Sequence, residues 1–254
     1  MIRRIDSLES TDIRLRNSHY ARIILSHMMT YGTEYDFCEF YELMKSGKRI
    51  GVFACLNGSM TADILDGASL SSGCIRESDE FIRFKSPYFA EMPPELYSKM
   101  GISEYQKIKR CFFKVIPGQD SSELNSEPFM ETVFATAFNG KDEHYGLWLT
   151  DTVRRRNKDI TRVYSYHSSV LTVRCRSNGM AYITDVATPE ADRGKGYART
   201  LLGKTAFQMK SEGYECYLTA DESTWDYYRS LGYEEIGNDI ILKLKDKKNY
   251  EQLF

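Results

Sequence analysis

The chain has 254 residues, with 34 Lys plus Arg against 36 Asp plus Glu, so its formal net charge is −2. That balance leaves no basic footprint for a phosphate backbone and argues against nucleic acid as a partner. Hydrophobic residues at 42% and charged residues at 28% exclude a disordered chain and indicate a packed globular protein.

No apolar run reaches the roughly 18 residues of a membrane span, and the start of the chain lacks the apolar stretch of a signal peptide. The six cysteines form no CxxC pair and have no histidine pair nearby. A soluble, cytoplasmic protein with reduced thiols is expected, with no membrane partner and no metal.

In chain order, Ile13, Arg16, Tyr20, Ile23, Ile24, His27 and Met28 recur at helical spacing and predict a first helix. Strands are expected at 37–43 and 50–56. Asn57-Gly58 then closes a tight turn, because both central positions need positive φ, and 60–65 is the return strand. A loop rich in Gly and Ser spans 66–73, a helix is expected over 79–89, and Pro93-Pro94 ends regular structure. The apolar run 108–116 either closes a first unit or opens a second.

After a polar loop at 119–127, Phe129, Met130, Val133, Phe134, Ala137 and Phe138 mark a helix, and a second is expected over 144–157. Strands follow at 162–166, 169–176 and 180–187, with Asn178-Gly179 as the second turn. The stretches 52–60 and 173–180 share the order strand, Asn-Gly, Met. Either chance or duplication of a half-domain accounts for that echo.

The segment from Ala181 onward carries the chemistry. A strand runs into a polar loop, Arg193-Gly194-Lys195-Gly196-Tyr197-Ala198 opens a helix, and Ala198, Leu201, Leu202, Thr205, Ala206 and Met209 form its apolar stripe until Gly213. Glycines at a helix start let an anionic group approach backbone N–H donors that lack partners, and Arg193 and Lys195 add charge. A strand at 214–220, a short helix at 223–231 and a final hairpin from 234–237 and 240–244 complete the pattern.

Arg193-x-x-Gly196-x-Ala198 between a strand and a helix resembles the acyl-CoA pyrophosphate loop of the GCN5-related N-acetyltransferases, the GNAT superfamily. Arg176 to Ala181 matches the same spacing but lies across a hairpin turn, so context selects the later copy. Tyr228-Arg229-Ser230-Leu231-Gly232-Tyr233 resembles the family's Tyr-x-x-x-Gly-Phe signature, with Tyr233 in place of Phe. The resemblance implies a mixed α/β (α+β) fold with a central, mostly antiparallel sheet at 106–254, behind a smaller α/β domain at 1–105 that is a candidate degenerate copy.

It further implies acetyl-CoA or another acyl-CoA as co-substrate, held by Arg193, Gly194, Lys195, Gly196, Tyr197 and Ala198, by the backbone of Val186, Ala187 and Thr188, and by Asp221, which replaces the family's usual Asn. The stretch 184–188 is expected to splay from its neighbouring strand. An amine acceptor, either a small molecule or a protein amino group, would take the acyl group directly. The first unit has no matching loop, so one acyl-CoA site per chain is expected. A non-catalytic acyl-CoA sensor is the competing reading.

Two catalytic candidates follow. Tyr228 is, by the resemblance, the general acid for the leaving thiolate, against the ordinary reading of a packing tyrosine. Asp185 shares a strand face with Ile183 and Ala187 by period-two alternation and is either the base for the amine or the partner of a cation. His144 and His167 are expected to be structural or exposed. Gly203-Lys204-Thr205 imitates a nucleotide-binding loop but lies inside a helical stripe, which argues against nucleotide binding.

Overall fold

The computed structural model describes residues 1–7, 17–140 and 144–245. Ile13 and Arg16 lie outside the described residues. The chain forms two compact units, 1–109 with 239–254, and 110–238. No helix among the described residues is long and apolar enough to cross a membrane.

In the first unit, strand β1 (Ile2–Arg4) precedes helix α1 (His19–Tyr31), strands β2 (Cys38–Lys45), β3 (Lys48–Leu56) and β4 (Ser59–Ile64), helix α2 (Ser72–Lys85), strand β5 (Phe89–Glu91) and helix α3 (Pro94–Tyr97). Asn57 and Gly58 have φ of 45° and 74°, as the β3–β4 turn requires. β1 to β4 pair antiparallel, while β4 and β5 run parallel because α2 carries the chain back across the sheet. One core packs α2 against Phe53, Met60, Ala62 and Ile64, and another packs α1 against Phe40, Val52 and Ala54.

Helix α2 starts seven residues before the expected 79 and stops at Lys85. Ser71, whose hydroxyl accepts from the Cys74 N–H, fixes the early start, and Phe89 belongs to β5 rather than the helix.

Strand β6 (Tyr105–Lys114) leads into the second unit, which contains helices α4 (Met130–Phe138) and α5 (Tyr145–Asn157), strands β7 (Arg162–Tyr166), β8 (Ser169–Ser177) and β9 (Met180–Ala187), helix α6 (Tyr197–Ser211), strand β10 (Glu215–Asp221) and helix α7 (Trp225–Ser230). β7, β8 and β9 form an antiparallel meander, β9 and β10 run parallel across α6, and β6 pairs antiparallel with β10. Leu201, Leu202, Ala206 and Met209 of α6 are buried on Phe113, Leu171, Val173, Ile183 and Leu218. At about 1.5–3 kcal/mol per fully buried side chain, this stripe anchors the helix start that the loop depends on.

The last strand, β11 (Glu234–Leu244), is continuous. The expected hairpin is therefore a single strand: Gly237-Asn238-Asp239 reads as a turn, yet Ile241, Leu242 and Lys243 pair with Glu91, Ala90 and Phe89 of β5. That pairing also groups 239–254 with the first unit, where the sequence reading had a single cut between 105 and 106. From α1 and again from α5 the chain runs through one order of helix, three-stranded meander, helix, parallel strand, short helix and strand.

Candidate active site

The N-terminus of α6 is built to stay open. Gly194 and Gly196 have φ of 77° and 80°, a region that L side chains rarely adopt, and a Cβ at either would meet nothing within 4 Å. The dihedrals favour glycine, and the position a Cβ would take at either residue is open. Gly196 offers no side-chain cap, and its carbonyl accepts from the Thr200 N–H at 3.0 Å, so the donors of the first turn face outward.

Arg193 Nε donates to the Thr188 carbonyl at 3.3 Å. Lys195 pairs with Asp192, holding that carboxyl below its ordinary range, with Ser168 adding to the effect. By contrast, α2 is closed by its own Ser71 cap.

Strands β9 and β10 stay in register only from Met180 and Glu215 to Ile183 and Leu218. Residues 184–187 continue along β8 alone, with Ala187 opposite Val170. Val186, Ala187 and Thr188 therefore line the opening between the two strands, and Ser169 and Thr188 share a hydroxyl hydrogen bond of 2.7 Å beside it. One pair before the register ends, Tyr182 and Tyr217 stack at 5.1 Å, and the Tyr182 hydroxyl lies 2.8 Å from that of Thr219.

A register shift between Val170 and Thr172 marks a bulge at which Asp185 takes φ of 55°. The bulge breaks alternation. Ile183 belongs to the core under α6, whereas Ala187 packs with Val133, Val163 and Val170. Asp185 does not share a face with both, contrary to the alternation argument; it sits with the hydroxyls of Thr172 and Thr184 and the Arg174 guanidinium.

Burial pushes the Asp185 carboxyl above its ordinary 3.8, Arg174, Thr172 and Thr184 oppose the rise, and Asp151 adds to it. Asp151 itself accepts from the fully buried Arg155 at 2.8 Å and pairs with Arg174 at 2.9 Å.

Tyr228 on α7 is buried, its ring 5.5 Å from that of Phe113 and stacked at 6.2 Å on Tyr233. Burial drives its phenol well above 10, with Tyr227 and then Asp221 contributing. Asp221, at the end of β10, accepts from Ser223 at 2.6 Å and from the Thr224 hydroxyl, which ties it to the start of α7. Tyr227 is 42% exposed, so the two adjacent tyrosines occupy different environments.

Sequence reasoning gave His167 no place at the loop. It lies in the β7–β8 turn at φ of 50° and stacks on Tyr197, the first residue of α6, at 4.5 Å and 20°. No linear pattern links a turn residue to a loop 30 residues on, so only the β7–β8–β9 register reveals this wall of the loop. The nucleotide-loop imitation resolves into packing: Gly203 approaches Gly118, whose N–H donates to its carbonyl at 2.8 Å, Lys204 pairs with Asp120 at 2.8 Å, and Thr205 is fully buried.

Comparison with known proteins accords with this geometry. The family described as "Acetyltransferase (GNAT) domain" matches residues 129–236. An acetyltransferase of the GNAT family from Colwellia psychrerythraea superposes with a TM-score of 0.59 at 11% identity, covering 96% of this chain and 100% of its own. A GCN5-related N-acetyltransferase from Kribbella flavida gives 0.58 at 13% identity, with coverages of 93% and 99%. A tandem GNAT protein from the clavulanic acid biosynthesis pathway gives 0.57 at 8% identity, with coverages of 98% and 100%. Comparison with curated proteins yields no significant match. The loop, the strands that part beside it and Tyr228 thus all lie within the C-terminal stretch, residues 129–236, that matches the GNAT acetyltransferase domain.

Proposed function

We propose that the second unit is a CoA-dependent N-acyltransferase, with acetyl as the group moved and an amine, of a small molecule or a protein, as the acceptor. The observation that carries this is the open, glycine-formed start of α6 beside the place where β9 and β10 part. Outward N–H donors with Arg193 and Lys195 receive the pyrophosphate, and the backbone of Val186, Ala187 and Thr188 receives the pantetheine arm. Asp221, tied to Ser223 and Thr224, keeps the beginning of α7 in place beneath that arm. The first unit, with α2 closed by Ser71, leaves the chain with one such site.

Asp185 takes a proton from the ammonium of the acceptor, and its raised pKa improves it as a base near neutrality. The free amine attacks the thioester carbonyl, and the carbon–sulfur bond breaks as the Tyr228 hydroxyl donates to the departing thiolate. Burial keeps that phenol protonated across the working pH range. Transfer is direct: burial pushes the thiols of Cys55 and Cys216 up to about 12 and that of Cys111 to about 11, which suits inert core thiols rather than nucleophiles. Six free cysteines accord with a reducing, cytoplasmic setting.

The test is calorimetry with CoA and acetyl-CoA on Gly196→Trp and Arg193→Ala, each checked for folding by circular dichroism, joined to a screen of amines for CoA release. Affinity should fall sharply in Gly196→Trp and moderately in Arg193→Ala. Unchanged affinity in a folded Gly196→Trp removes the site. Binding without turnover on any amine identifies an acyl-CoA sensor instead.

A further inference from the structure

The first unit gathers three metal-ligating side chains from distant parts of the chain. His19 opens α1, Glu91 ends β5 and Asp239 lies in β11, and one ligand atom of each falls within 4.8 Å of the others. His19 Nε2 is 3.5 Å from Glu91 Oε2. His19 and Asp239 are 7% and 3% exposed, so two of the three are buried, unlike a surface acidic patch.

We propose that His19, Glu91 and Asp239 bind one divalent first-row transition cation of the zinc and cobalt kind. One imidazole with two carboxylates is a borderline donor set, which favours such ions over calcium or magnesium with their all-oxygen shells. In a tetrahedral shell with bonds of about 2.1 Å, ligand atoms lie about 3.4 Å apart, which the 3.5 Å between His19 Nε2 and Glu91 Oε2 already matches, so closure on an ion asks only that the remaining separations draw in from within 4.8 Å.

The surroundings are those of an oriented ligand set. The Thr61 hydroxyl donates to Glu91 Oε1 at 3.1 Å, leaving Oε2 toward His19, and the Tyr20 hydroxyl donates to Asp239 Oδ2 at 3.3 Å. The second unit supplies a contrast at matching sheet positions. Thr61 and Glu91 are the third registered pair after the Asn57-Gly58 turn, and Tyr182 and Tyr217 are the third after Asn178-Gly179. There the pair is two stacked rings, and here it is a hydroxyl on a carboxylate. The ion would fasten the start of α1 to β5 and β11 and so stabilise the first unit.

No linear spacing signals this site, because the ligands are 72 and 148 residues apart. The sequence expectation of no metal followed from the spacing of the cysteines and histidines, not from these three residues.

Chelator-treated full-length protein is titrated with Co²⁺ and then Zn²⁺, following visible absorption, calorimetry and melting temperature. The expected result is about one equivalent of Co²⁺ with visible ligand-field bands and no thiolate charge-transfer band, displacement by Zn²⁺, and a melting temperature that rises with metal. Glu91→Gln and Asp239→Asn should abolish binding, and Thr61→Val, which keeps all three ligands, should weaken it about tenfold. Absence of saturable binding in the wild type overturns the proposal whatever the variants do. A thiolate band, or binding undiminished in folded Glu91→Gln and Asp239→Asn proteins, overturns it as well.

Discussion

At the scale of single residues, the proposed mechanism rests on environment to separate two chemically alike groups. Tyr228 and Tyr227 are neighbours, yet Tyr228 is buried against Phe113 and Tyr233 while Tyr227 is 42% exposed. Tyr228→Phe keeps the ring, so acyl-CoA affinity should hold while kcat falls by about 10²–10⁴-fold; wild-type turnover with a verified acceptor would make Tyr228 a packing residue. Asp185 must be unprotonated to act, so kcat/KM should fall as pH drops through a pKa raised above 3.8. Asp185→Asn should lose about 10²–10⁴-fold at neutral pH and lack that acid limb, and a limb that persists unchanged in the variant assigns it elsewhere. The residue types were legible in the sequence and the facing of Asp185 was not, because a bulge inverts alternation without any local composition signal.

At the scale of elements, periodicity located the longer helices and strands but not the short β1, β5 and α3, the last of which begins at Pro94, where regular structure was expected to end; other errors fell where a partner overrode local pattern. Ser71 extends α2 toward its N-terminus, and Gly237-Asn238-Asp239, an apparent turn, lies inside the continuous β11, whose Ile241, Leu242 and Lys243 pair with β5. The packing of α6 shows the same dependence on a distant segment. A Cβ at Gly118 would stand 3.1 Å from the Gly203 carbonyl carbon and 3.2 Å from its oxygen, both in the backbone of a buried helix. Gly118→Ala should therefore lower stability by about 1–3 kcal/mol in denaturant unfolding. Gly203→Ala meets Gly118 only at 3.4 Å, and gains about 1 kcal/mol of helix propensity, so its loss should be smaller. An equal or larger loss in Gly203→Ala would show that the contact is not what sets the close approach.

At the scale of the whole molecule, the shared element order of the two units was only hinted at by the paired Asn-Gly-containing hairpins, since order among distant strands leaves no short motif. Each unit also fixes one glutamate between two arginines. Glu42 of β2 accepts from Arg3 and from Arg49, and Glu212 after α6 accepts from Arg162 at 2.6 Å and Arg176 at 3.2 Å. Burial works against ionisation at both, but Arg3 and Arg49 outweigh it at Glu42 and Gln208, Arg162 and Arg176 outweigh it at Glu212, which holds each carboxyl below its ordinary 4.5. A carboxyl whose pKa is lower folded than unfolded adds stability that is complete above about 4.5 and disappears as pH falls through the folded value. The melting temperature of the wild type should thus decline below about pH 4.5. Glu42→Gln removes one of these contributions at neutral pH, costing about 1.5–3 kcal/mol, and protonation takes it from the wild type in acid. The gap between the two proteins should accordingly narrow as pH falls. A gap that stays constant from pH 7 to strong acid would mean that Glu42 contributes by shape and hydrogen bonding rather than by charge.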